Sequence, residues 1–378
     1  MTVHTLPTRT NMSALVYEAP RVMTMREVPT PVPQPDEVLI EVEYSGICGS
    51  ELSGFLGQSS IRTPPLVFGH EISGRIAALG DDVDDSWLFR VGDPVTANPL
   101  VSCGRCDFCA RGRQQLCARR LLLGATLPGG NAQYVAVPVA SVLAVPEGMD
   151  LATAAMAEPV AFALRAVEVS TVTPASSVLV VGAGAIGLLI LQVLAASGVR
   201  TRYVVERNLD RLAMAAALGC TPLDPGERGI SAVIDEVTGG RGVDVAIDAV
   251  GAATTRRECM LSLSPGGTMV LVGLHSDETE LPLNTAVRSE LVIRGAFAYS
   301  PVHFRQGLRW LAEGIVGLKE GVVVAPLDEG QKWYEELVSG HPASKVLLQP
   351  APKVPLDPRR ISYRPPPIIS RDPEETLT

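Results

Sequence analysis

The sequence predicts an α/β protein with two domains, one mostly β and one built on a doubly wound parallel sheet. The first observation is length, because 378 residues exceed what one ordinary hydrophobic core accommodates. The second is that short alternating apolar runs, broken by proline, glycine and aspartate, continue to about residue 160. The third is that residues 160–300 alternate wholly apolar runs with Ala- and Leu-rich stretches, which is typical of parallel strands covered by helices on both faces.

The individual elements follow from these patterns. In the first region, residues 37–44 alternate apolar and mostly acidic side chains and therefore predict a half-buried strand. The second region predicts five buried strands, and a helix and a last strand follow. These strands are 177–181, 202–205, 243–249, 268–272 and 291–293, the helix is 304–311 and the last strand is 345–348. Proline and charge predict an extended or disordered tail over residues 351–378.

Four cysteines lie close together in the first region, with the spacing C-x2-C-x2-C-x7-C. Four thiolates at this spacing can complete a tetrahedral shell around one zinc ion and leave no open position. We therefore predict a structural zinc that holds the loop, with Gly104 and Gly112 providing tight turns. The alternative is a set of free or disulfide-bonded cysteines. The predicted ligands are Cys103, Cys106, Cys109 and Cys117.

A glycine motif, G-x-G-x-x-G, follows the first buried strand of the second region. Its first glycine permits a tight turn, its second lets the backbone approach a pyrophosphate, and its third lets a helix over residues 188–197 pack closely. The N-terminal N–H groups and dipole of that helix would hold the phosphates. We therefore predict a Rossmann-type dinucleotide site, with an ordinary glycine-rich turn as the alternative. Its residues are Gly182, Gly184, Ala185, Ile186 and Gly187.

An acidic residue, Glu206, follows the next predicted strand, nineteen residues beyond Gly187. A carboxylate at this place accepts hydrogen bonds from ribose hydroxyls and repels a 2′-phosphate, which favours NAD over NADP. The neighbouring Arg207 would have the opposite effect, because a guanidinium can host that phosphate. We expect Glu206 to decide the choice in favour of NAD.

A second group of candidate metal ligands lies outside the cysteine cluster. Cys48 lies in a glycine-flanked turn after a predicted strand, His70 and Glu71 follow Gly69, and Glu158 stands in an apolar stretch. Three protein ligands would leave a fourth position open for substrate, as in a catalytic zinc site. The residues alone leave another interpretation open, in which Cys48 and His70 are core residues and Glu71 is a surface acid.

Charge and hydropathy exclude several classes of function. The net charge is -9 and no run of lysine or arginine stands out, so we expect no binding to nucleic acid. No apolar stretch has transmembrane length and the N-terminus lacks the apolar core of a signal peptide, so we expect no membrane association. Seven cysteines, four of them assigned to zinc, are typical of a protein in the reducing cytoplasm.

Six motifs in order make the chain resemble the zinc-dependent medium-chain alcohol dehydrogenases, particularly their sorbitol (polyol) and threonine dehydrogenase branch. They are ICGSE, FGHEISG, the four-cysteine loop, AEP, GAGAIG and VGL at 272–274. The resemblance covers residues 13–350. It implies a Rossmann domain at 160–302, inserted in a mostly β, GroES-like catalytic domain of residues 13–159 and 303–350. We also expect a homodimer or homotetramer.

The resemblance implies roles for the candidate metal ligands and their neighbours. The three residues Cys48, His70 and Glu71 would bind the catalytic zinc. Glu158 would replace one of these ligands or bind through water. Ser50 would relay the substrate proton.

The resemblance also implies an orienting role for Glu51, which stands where the family usually has Asp and would hold the imidazole of His70. Arg211 matches an arginine that packs against the adenine. The nicotinamide would be held between the two domains by the segments 272–274 and 297–299. The residues of these segments that we assign to the cofactor are Val272, Leu274, Phe297 and Tyr299.

The sequence therefore predicts an NAD-dependent enzyme with two zinc ions per chain, which oxidises a secondary alcohol of a polyol, amino alcohol or sugar derivative to a ketone. Two departures qualify the resemblance. Ser53 stands where many relatives have the outer histidine of the proton relay, so the proton would leave through water or a ribose hydroxyl. Ala298 stands where sorbitol dehydrogenases have a substrate-contacting arginine, so sorbitol itself is not singled out.

Two other functions stay open at this point. One is a reductase of C=C bonds or quinones that has the same fold and uses no catalytic zinc. The other is a non-enzymatic module that binds zinc and a dinucleotide. The presence of Ser50 together with Cys48, His70 and Glu71 argues against both.

Overall fold

The computed structural model describes residues 11–84 and 89–351. Its strands are β1 (Asn11–Ala19), β2 (Val22–Pro29), β3 (Glu37–Gly46), β4 (Leu66–Val67), β5 (Glu71–Leu79), β6 (Pro94–Ala97), β7 (Leu100–Val101), β8 (Leu121–Leu122), β9 (Tyr134–Pro138), β10 (Val142–Ala144), β11 (Ser177–Val181), β12 (Thr201–Val205), β13 (Thr221–Leu223), β14 (Val243–Asp248), β15 (Leu263–Leu271), β16 (Val292–Gly295), β17 (Val322–Pro326) and β18 (Lys345–Gln349).

The helices follow the same chain order. They are α1 (Gly49–Phe55), α2 (Asp107–Ala110), α3 (Leu151–Ala154), α4 (Ala157–Ser170), α5 (Ala185–Ala196), α6 (Leu209–Ala217), α7 (Ile230–Thr238), α8 (Ala253–Leu261), α9 (Leu283–Arg288), α10 (Pro301–Ala312) and α11 (Gly330–Val338). Within the described ranges, none of these helices combines the length and apolar character needed to cross a bilayer. Apart from Ala351, the predicted tail over 351–378 lies outside the described residues.

The chain divides into two compact units. One contains the described chain up to Ala155, together with Val324–Glu336 and the chain from Leu347. The other contains Met156–Val323 and Leu337–Val346.

The first unit is mostly β, as the sequence predicts. Its largest sheet has seven strands in the order β10-β6-β5-β3-β18-β17, and β9 also pairs with β3. A three-stranded sheet, β2-β1-β4, and the small pair β7-β8 accompany it. The large sheet therefore joins strands from the beginning of the chain with two that come after residue 320.

The prediction of a half-buried strand at 37–44 is only partly right. The strand exists as β3, but its first residues are buried on both faces. Val38 and Ile40 belong to one hydrophobic cluster, whereas Leu39 packs in another with Met12. Even Glu37 is buried, and its carboxylate accepts a hydrogen bond from the backbone N–H of Gln34 at 2.9 Å. Two cores flank this strand, so its acidic residues do not mark a fully solvated face.

The second unit is a parallel α/β sheet of six strands in the order β13-β12-β11-β14-β15-β16. All five residues of the central strand β11 are buried, because helices cover both faces. The five strands predicted in this region are present, and among the described strands of the sheet only the short edge strand β13 is not predicted from the sequence. The strand order reverses at β11, beside β14, and a reversal of this kind opens a crevice at the carboxyl ends of the strands.

Candidate active site

Three predicted metal ligands come together in the first unit. Cys48 is the N-cap residue of α1, whereas His70 directly precedes β5 and Glu71 begins it. One ligand atom from each of these side chains lies within 4.8 Å of the other two. Because Glu71 is fully buried, it is not the surface acid that the sequence left open. This set of thiolate, imidazole and carboxylate fits one zinc ion with a position left for substrate.

A glycine makes room for the carboxylate of this set. Gly46, the last residue of β3, pairs with Glu71 across the sheet. A Cβ atom at position 46 would lie 2.2 Å from Glu71 Oε2. Any larger residue would therefore displace the carboxylate from the other two ligands.

His70 is held in place by a fully buried carboxylate. Glu51 Oε1 accepts hydrogen bonds from His70 Nδ1 at 2.7 Å and from the Gly69 N–H at 2.9 Å. Its Oε2 accepts one from the Tyr334 hydroxyl at 2.8 Å. The Tyr334 hydroxyl oxygen in turn accepts a hydrogen bond from Asn131 Nδ2 at 3.1 Å. Since an ionised carboxylate only accepts hydrogen bonds, Nδ1 carries the proton and Nε2 is left to bind a metal.

The charges around His70 favour a cation at this place. Burial opposes the charge of Glu51, but His70 and Arg62 outweigh burial and lower the pKa of that carboxyl. Burial also opposes a charged imidazole, yet Glu51 and Cys48 raise the pKa of His70 well above its ordinary value. Glu51 and Cys48, which favour the charged imidazole, would also attract a divalent metal ion in place of the proton on Nε2.

Ser50 lies on α1, two residues after the ligand Cys48. Its hydroxyl donates a hydrogen bond to Cys48 Sγ at 3.4 Å and accepts one from Arg62 Nη2 at 3.1 Å. The side chain is exposed. Its hydroxyl is thus placed beside the ligand set, where the sequence analysis expects the proton relay to begin.

The four predicted zinc cysteines also come together. Cys103, Cys106, Cys109 and Cys117 have sulfur atoms that all lie within 4.8 Å of one another, and all seven cysteines of the chain are free of disulfides. The turns of the loop use left-handed glycines, Gly104 at φ 71° and Gly112 at φ 72°. Burial opposes a thiolate at Cys103, but backbone N–H groups outweigh it and lower its pKa to about 5. A closed set of four thiol groups fits a structural zinc.

The glycine motif connects β11 to α5. Gly182 has φ 96°, a left-handed conformation that favours glycine. A Cβ at Gly187 would lie 1.9 Å from the carbonyl oxygen of Gly182, so only glycine permits this helix to start so close to the strand. Gly184 is the N-cap residue and faces open space, and Ala185 and Ile186 begin the helix. The free N–H groups of this first turn suit a pyrophosphate.

Glu206 reaches back to the glycine motif from the end of β12. Its Oε2 accepts a hydrogen bond from the Ala183 N–H at 2.9 Å. Its Oε1 accepts hydrogen bonds from the backbone N–H groups of Arg207 and Asn208 at 2.7 and 3.0 Å. The carboxylate is therefore fixed at the carboxyl edge of the sheet, while the side chain of Arg207 is exposed.

The remaining predicted cofactor residues also lie in the second unit. Arg211, near the start of α6, donates from Nη2 to the carbonyl oxygen of His341 at 2.8 Å. Val272 is buried and Leu274 is exposed, both just after β15, and Phe297 is exposed after β16. Their assignment to the dinucleotide stays a prediction.

Glu158 lies on α4 in the second unit. Its Oε1 accepts a hydrogen bond from the Tyr299 hydroxyl at 2.9 Å, and the Tyr299 ring is almost completely buried. Tyr299 therefore fixes the carboxylate that the resemblance implicates as an alternative zinc ligand. The sequence predicts Tyr299 as a cofactor residue and gives no sign of this bond.

Three further residues of the first site escaped the sequence analysis. Tyr334 donates a hydrogen bond to Glu51, Asn131 donates one to the Tyr334 hydroxyl, and Arg62 donates one to Ser50. Tyr334 is 283 positions from Glu51, so no local spacing indicates their contact. Arg62 lies between Cys48 and His70 in the sequence. Its position in a stretch with no predicted helix or strand is the one sequence feature that could have pointed to a role in this site.

Comparison with known proteins agrees with this geometry. Residues 34–147 match the family model described as the alcohol dehydrogenase GroES-like domain. Residues 185–313 match the model described as the zinc-binding dehydrogenase. The two models cover the first candidate metal set, the cysteine loop and most of the dinucleotide unit.

Individual relatives resemble the chain over most of its length. Sorbitol dehydrogenase of Bacillus subtilis is 34% identical over 324 residues, which cover 84% of this chain and 90% of that protein. The solved structure of 2R,3R-butanediol dehydrogenase from Bacillus subtilis is similar with a TM-score of 0.81 and 28% identity, covering 90% of this chain and 100% of that one. An alcohol dehydrogenase from Escherichia coli CFT073, solved with NADH, gives a TM-score of 0.83 and 28% identity, again covering 90% and 100%.

Proposed function

This chain belongs to the zinc-dependent medium-chain alcohol dehydrogenases, in their polyol dehydrogenase branch, and we propose that it oxidises a secondary hydroxyl of a polyol or related diol to a ketone. The observation that supports this most strongly is the buried set of Cys48, His70 and Glu71. A C=C reductase that works without catalytic zinc has no need of such a set.

The two metal sites have different tasks in this proposal. Cys48, His70 and Glu71 would hold the catalytic zinc, and the four-cysteine loop would hold the structural one. When bound, zinc supplies a Lewis acid for the alcohol oxygen and NAD supplies the hydride acceptor. The protein orients these groups, and Glu51 fixes the imidazole of His70 for this purpose.

Ser50 would carry the proton of the alcohol away. Its hydroxyl lies beside the Cys48 sulfur and can accept a hydrogen bond from a substrate hydroxyl placed at the open position. Ser53 follows one turn later on α1 and replaces the expected outer histidine. The serine hydrogen would therefore pass to water or to a ribose hydroxyl of the cofactor.

We propose NAD as the preferred cofactor. The support is the position of Glu206, whose carboxylate is fixed beside the glycine turn by three backbone N–H groups. A negative charge held there would repel a 2′-phosphate and accept hydrogen bonds from the ribose hydroxyls. Binding of NAD and NADP to the enzyme, measured by calorimetry, tests this preference.

The names of two relatives and the residue at position 298 limit the class of substrate that we propose. Sorbitol and 2R,3R-butanediol, after which two of the relatives are named, both carry neighbouring hydroxyl groups. Ala298, with φ 43°, stands where an arginine is expected in sorbitol dehydrogenases, so no guanidinium is available at this position. We propose a diol or polyol recognised without an arginine from position 298.

The second unit offers a surface for pairing with another copy. The edge strand β16 is exposed along its whole length, with Val292 and Ile293 38% and 39% exposed. Leu283 and Val287 on α9 add further exposed apolar area in this unit. Among the described strands, β16 pairs only with β15, and an apolar sheet edge of this kind supports a proposed homodimer or homotetramer. Analytical ultracentrifugation of Ile293→Lys, which should give monomers, tests it.

Two further assignments are part of this proposal. The catalytic domain would comprise residues 13–159 and 303–350 and the Rossmann domain residues 160–302, on the support of the motif order; limited proteolysis tests these limits. We also propose a cytoplasmic location, supported by a thiol-rich metal loop that needs a reducing compartment. Cell fractionation with an antibody tests it.

One experiment separates the proposed function from its rivals. Zinc content per chain should be near two, and NADH should form when the enzyme is given NAD and members of a panel of polyols, vicinal diols and amino alcohols. A zinc content near one and no reaction with any alcohol would favour the C=C reductase or the non-enzymatic module. Reduction of an enone by NADH would then distinguish between these two.

A further inference from the structure

Arg62 lies buried next to Ser50, and none of the motifs includes it. Its side chain is 5% exposed. Its Nε donates a hydrogen bond to the carbonyl oxygen of Gly124 at 3.1 Å, and its Nη2 donates one to Ser50 Oγ at 3.1 Å. A guanidinium stays charged at physiological pH. In the described part of the chain no carboxylate forms an ion pair with it, and Glu51 acts on it only at longer range.

The surroundings of Arg62 hold its side chain in one orientation. The stem passes Gly54 on α1, where a Cβ would lie only 2.6 Å from Arg62 Cδ. The guanidinium carbon is 5.9 Å from the centre of the Phe68 ring. Helix α1 thus carries both the serine that Arg62 contacts and the glycine that leaves space for it. An arginine fixed on three sides orients the groups to which it donates.

The hydrogen bond to Ser50 restricts what that serine can do. A serine hydroxyl has one hydrogen and two lone pairs, and Arg62 occupies one lone pair. A substrate hydroxyl would donate to the other. One O–H bond would then form at Ser50, while the O–H bond that is directed at Cys48 Sγ in this structure would turn away from the sulfur and lose its proton to water. Arg62 cannot take this proton, because arginine does not act as a base in proteins.

We propose that Arg62 is a positioning residue for the proton relay, which fixes the orientation of the Ser50 hydroxyl and promotes removal of the substrate proton through it. This inference rests on the proposed function, because it concerns the same reaction. It also explains how the proton leaves Ser50 in one direction although Ser53 replaces the outer histidine. Arg62 occupies one side of the Ser50 hydroxyl and cannot accept a proton, so the proton can leave only on the other side.

The test compares three variants. Arg62→Met removes the charge and both hydrogen bonds. Arg62→Lys keeps the charge but has one donor nitrogen in place of the three of the guanidinium. The control, Arg75→Met, makes the same change as Arg62→Met at an exposed position of β5. With the best alcohol of the panel, Arg62→Met should lower kcat by roughly 10- to 100-fold, the effect of losing a charge-assisted hydrogen bond. It should also increase the solvent isotope effect on NADH formation. KM, NAD affinity and zinc content should stay close to those of Arg75→Met, whereas Tm should fall because the buried carbonyl of Gly124 loses its donor. Arg62→Lys should recover part of kcat.

A readout independent of turnover comes from the crystal structure of Arg62→Met, in which the Ser50 hydroxyl should lose its single orientation. Gly54→Ala, which crowds the stem of Arg62, should reproduce the kinetic effect from a different position. Equal kinetics of Arg62→Met and Arg75→Met in an active enzyme would overturn the inference and leave the proposed function intact. A lower kcat with an unchanged isotope effect and reduced zinc content would show a purely structural role and overturn it as well. An unaltered enzyme that oxidises no alcohol would overturn both.

Discussion

The hydroxyl of Tyr334 provides a specific test of the support beneath His70. Tyr334→Phe deletes one of the three hydrogen bonds that the fully buried carboxylate of Glu51 accepts, and leaves the ring in place. It also removes the acceptor of the Asn131 side chain, which lies buried. Both effects act on the group that holds the imidazole.

The expected size follows from these contacts. A hydrogen bond to a buried charged group contributes about 2 kcal/mol, which corresponds to a Tm lower by roughly 4–8 °C for a unit of this size. A less firmly held His70 should also bind metal more weakly, by about tenfold, at the lower end of the effects of outer-shell changes. Calorimetry and the zinc retained after dialysis against a chelator measure the two quantities.

Tyr17→Phe is the matched control. Tyr17 is a buried tyrosine of the same unit and its ring also packs on Phe68, but its hydroxyl has no hydrogen-bond partner among the described residues. This control should change Tm by less than about 1 °C, as expected for a hydroxyl without a partner. If the two variants had equal Tm and equal zinc retention, the account of Glu51 as the support of His70 would be refuted.

Three more changes test the other assignments. Cys106→Ser should remove one zinc per chain and lower Tm, because the binding energy of a structural metal is folding energy; unchanged zinc and Tm would contradict the structural assignment. Glu206→Ser should raise the efficiency with NADP relative to NAD, and an unaltered enzyme that already prefers NADP would show that Arg207 dominates. Ser50→Ala should lower kcat roughly 10²- to 10⁴-fold at unchanged zinc content, whereas Ser53→Ala should have a much smaller effect. Equal losses at the two positions would make Ser53 a member of the relay.

The features predictable from the sequence are those encoded over short distances. The glycines of the dinucleotide turn and the four cysteines each act within one loop, so their spacing carries the geometry. The strand at 177–181, which is apolar after its first residue, likewise predicts its own burial on both faces. These local signals are sufficient for the α/β fold class and for two ligand sites.

The features that escaped prediction depend on distant parts of the chain. Alternation along β3 indicates one buried face, but Leu39 on the other face is covered by residues of β1, which the pattern of β3 cannot reveal. Tyr334 and Arg62 contact Glu51 and Ser50 only because the fold brings separate segments together. Ligand types are visible in a sequence, whereas the groups that orient them become visible only in the fold.

The long separation between Glu51 and Tyr334 has a consequence for how the protein is made. The ligands Cys48, His70 and Glu71 leave the ribosome early, but the hydroxyl that completes their support is synthesised 283 positions after Glu51. The strand β18, which pairs with β3, follows later still. During synthesis, the growing chain therefore carries metal-binding side chains long before the sheet and the hydrogen bonds that order them can form. Capture of zinc at this site in its final geometry belongs to the last stage of folding, after almost the whole chain has been translated.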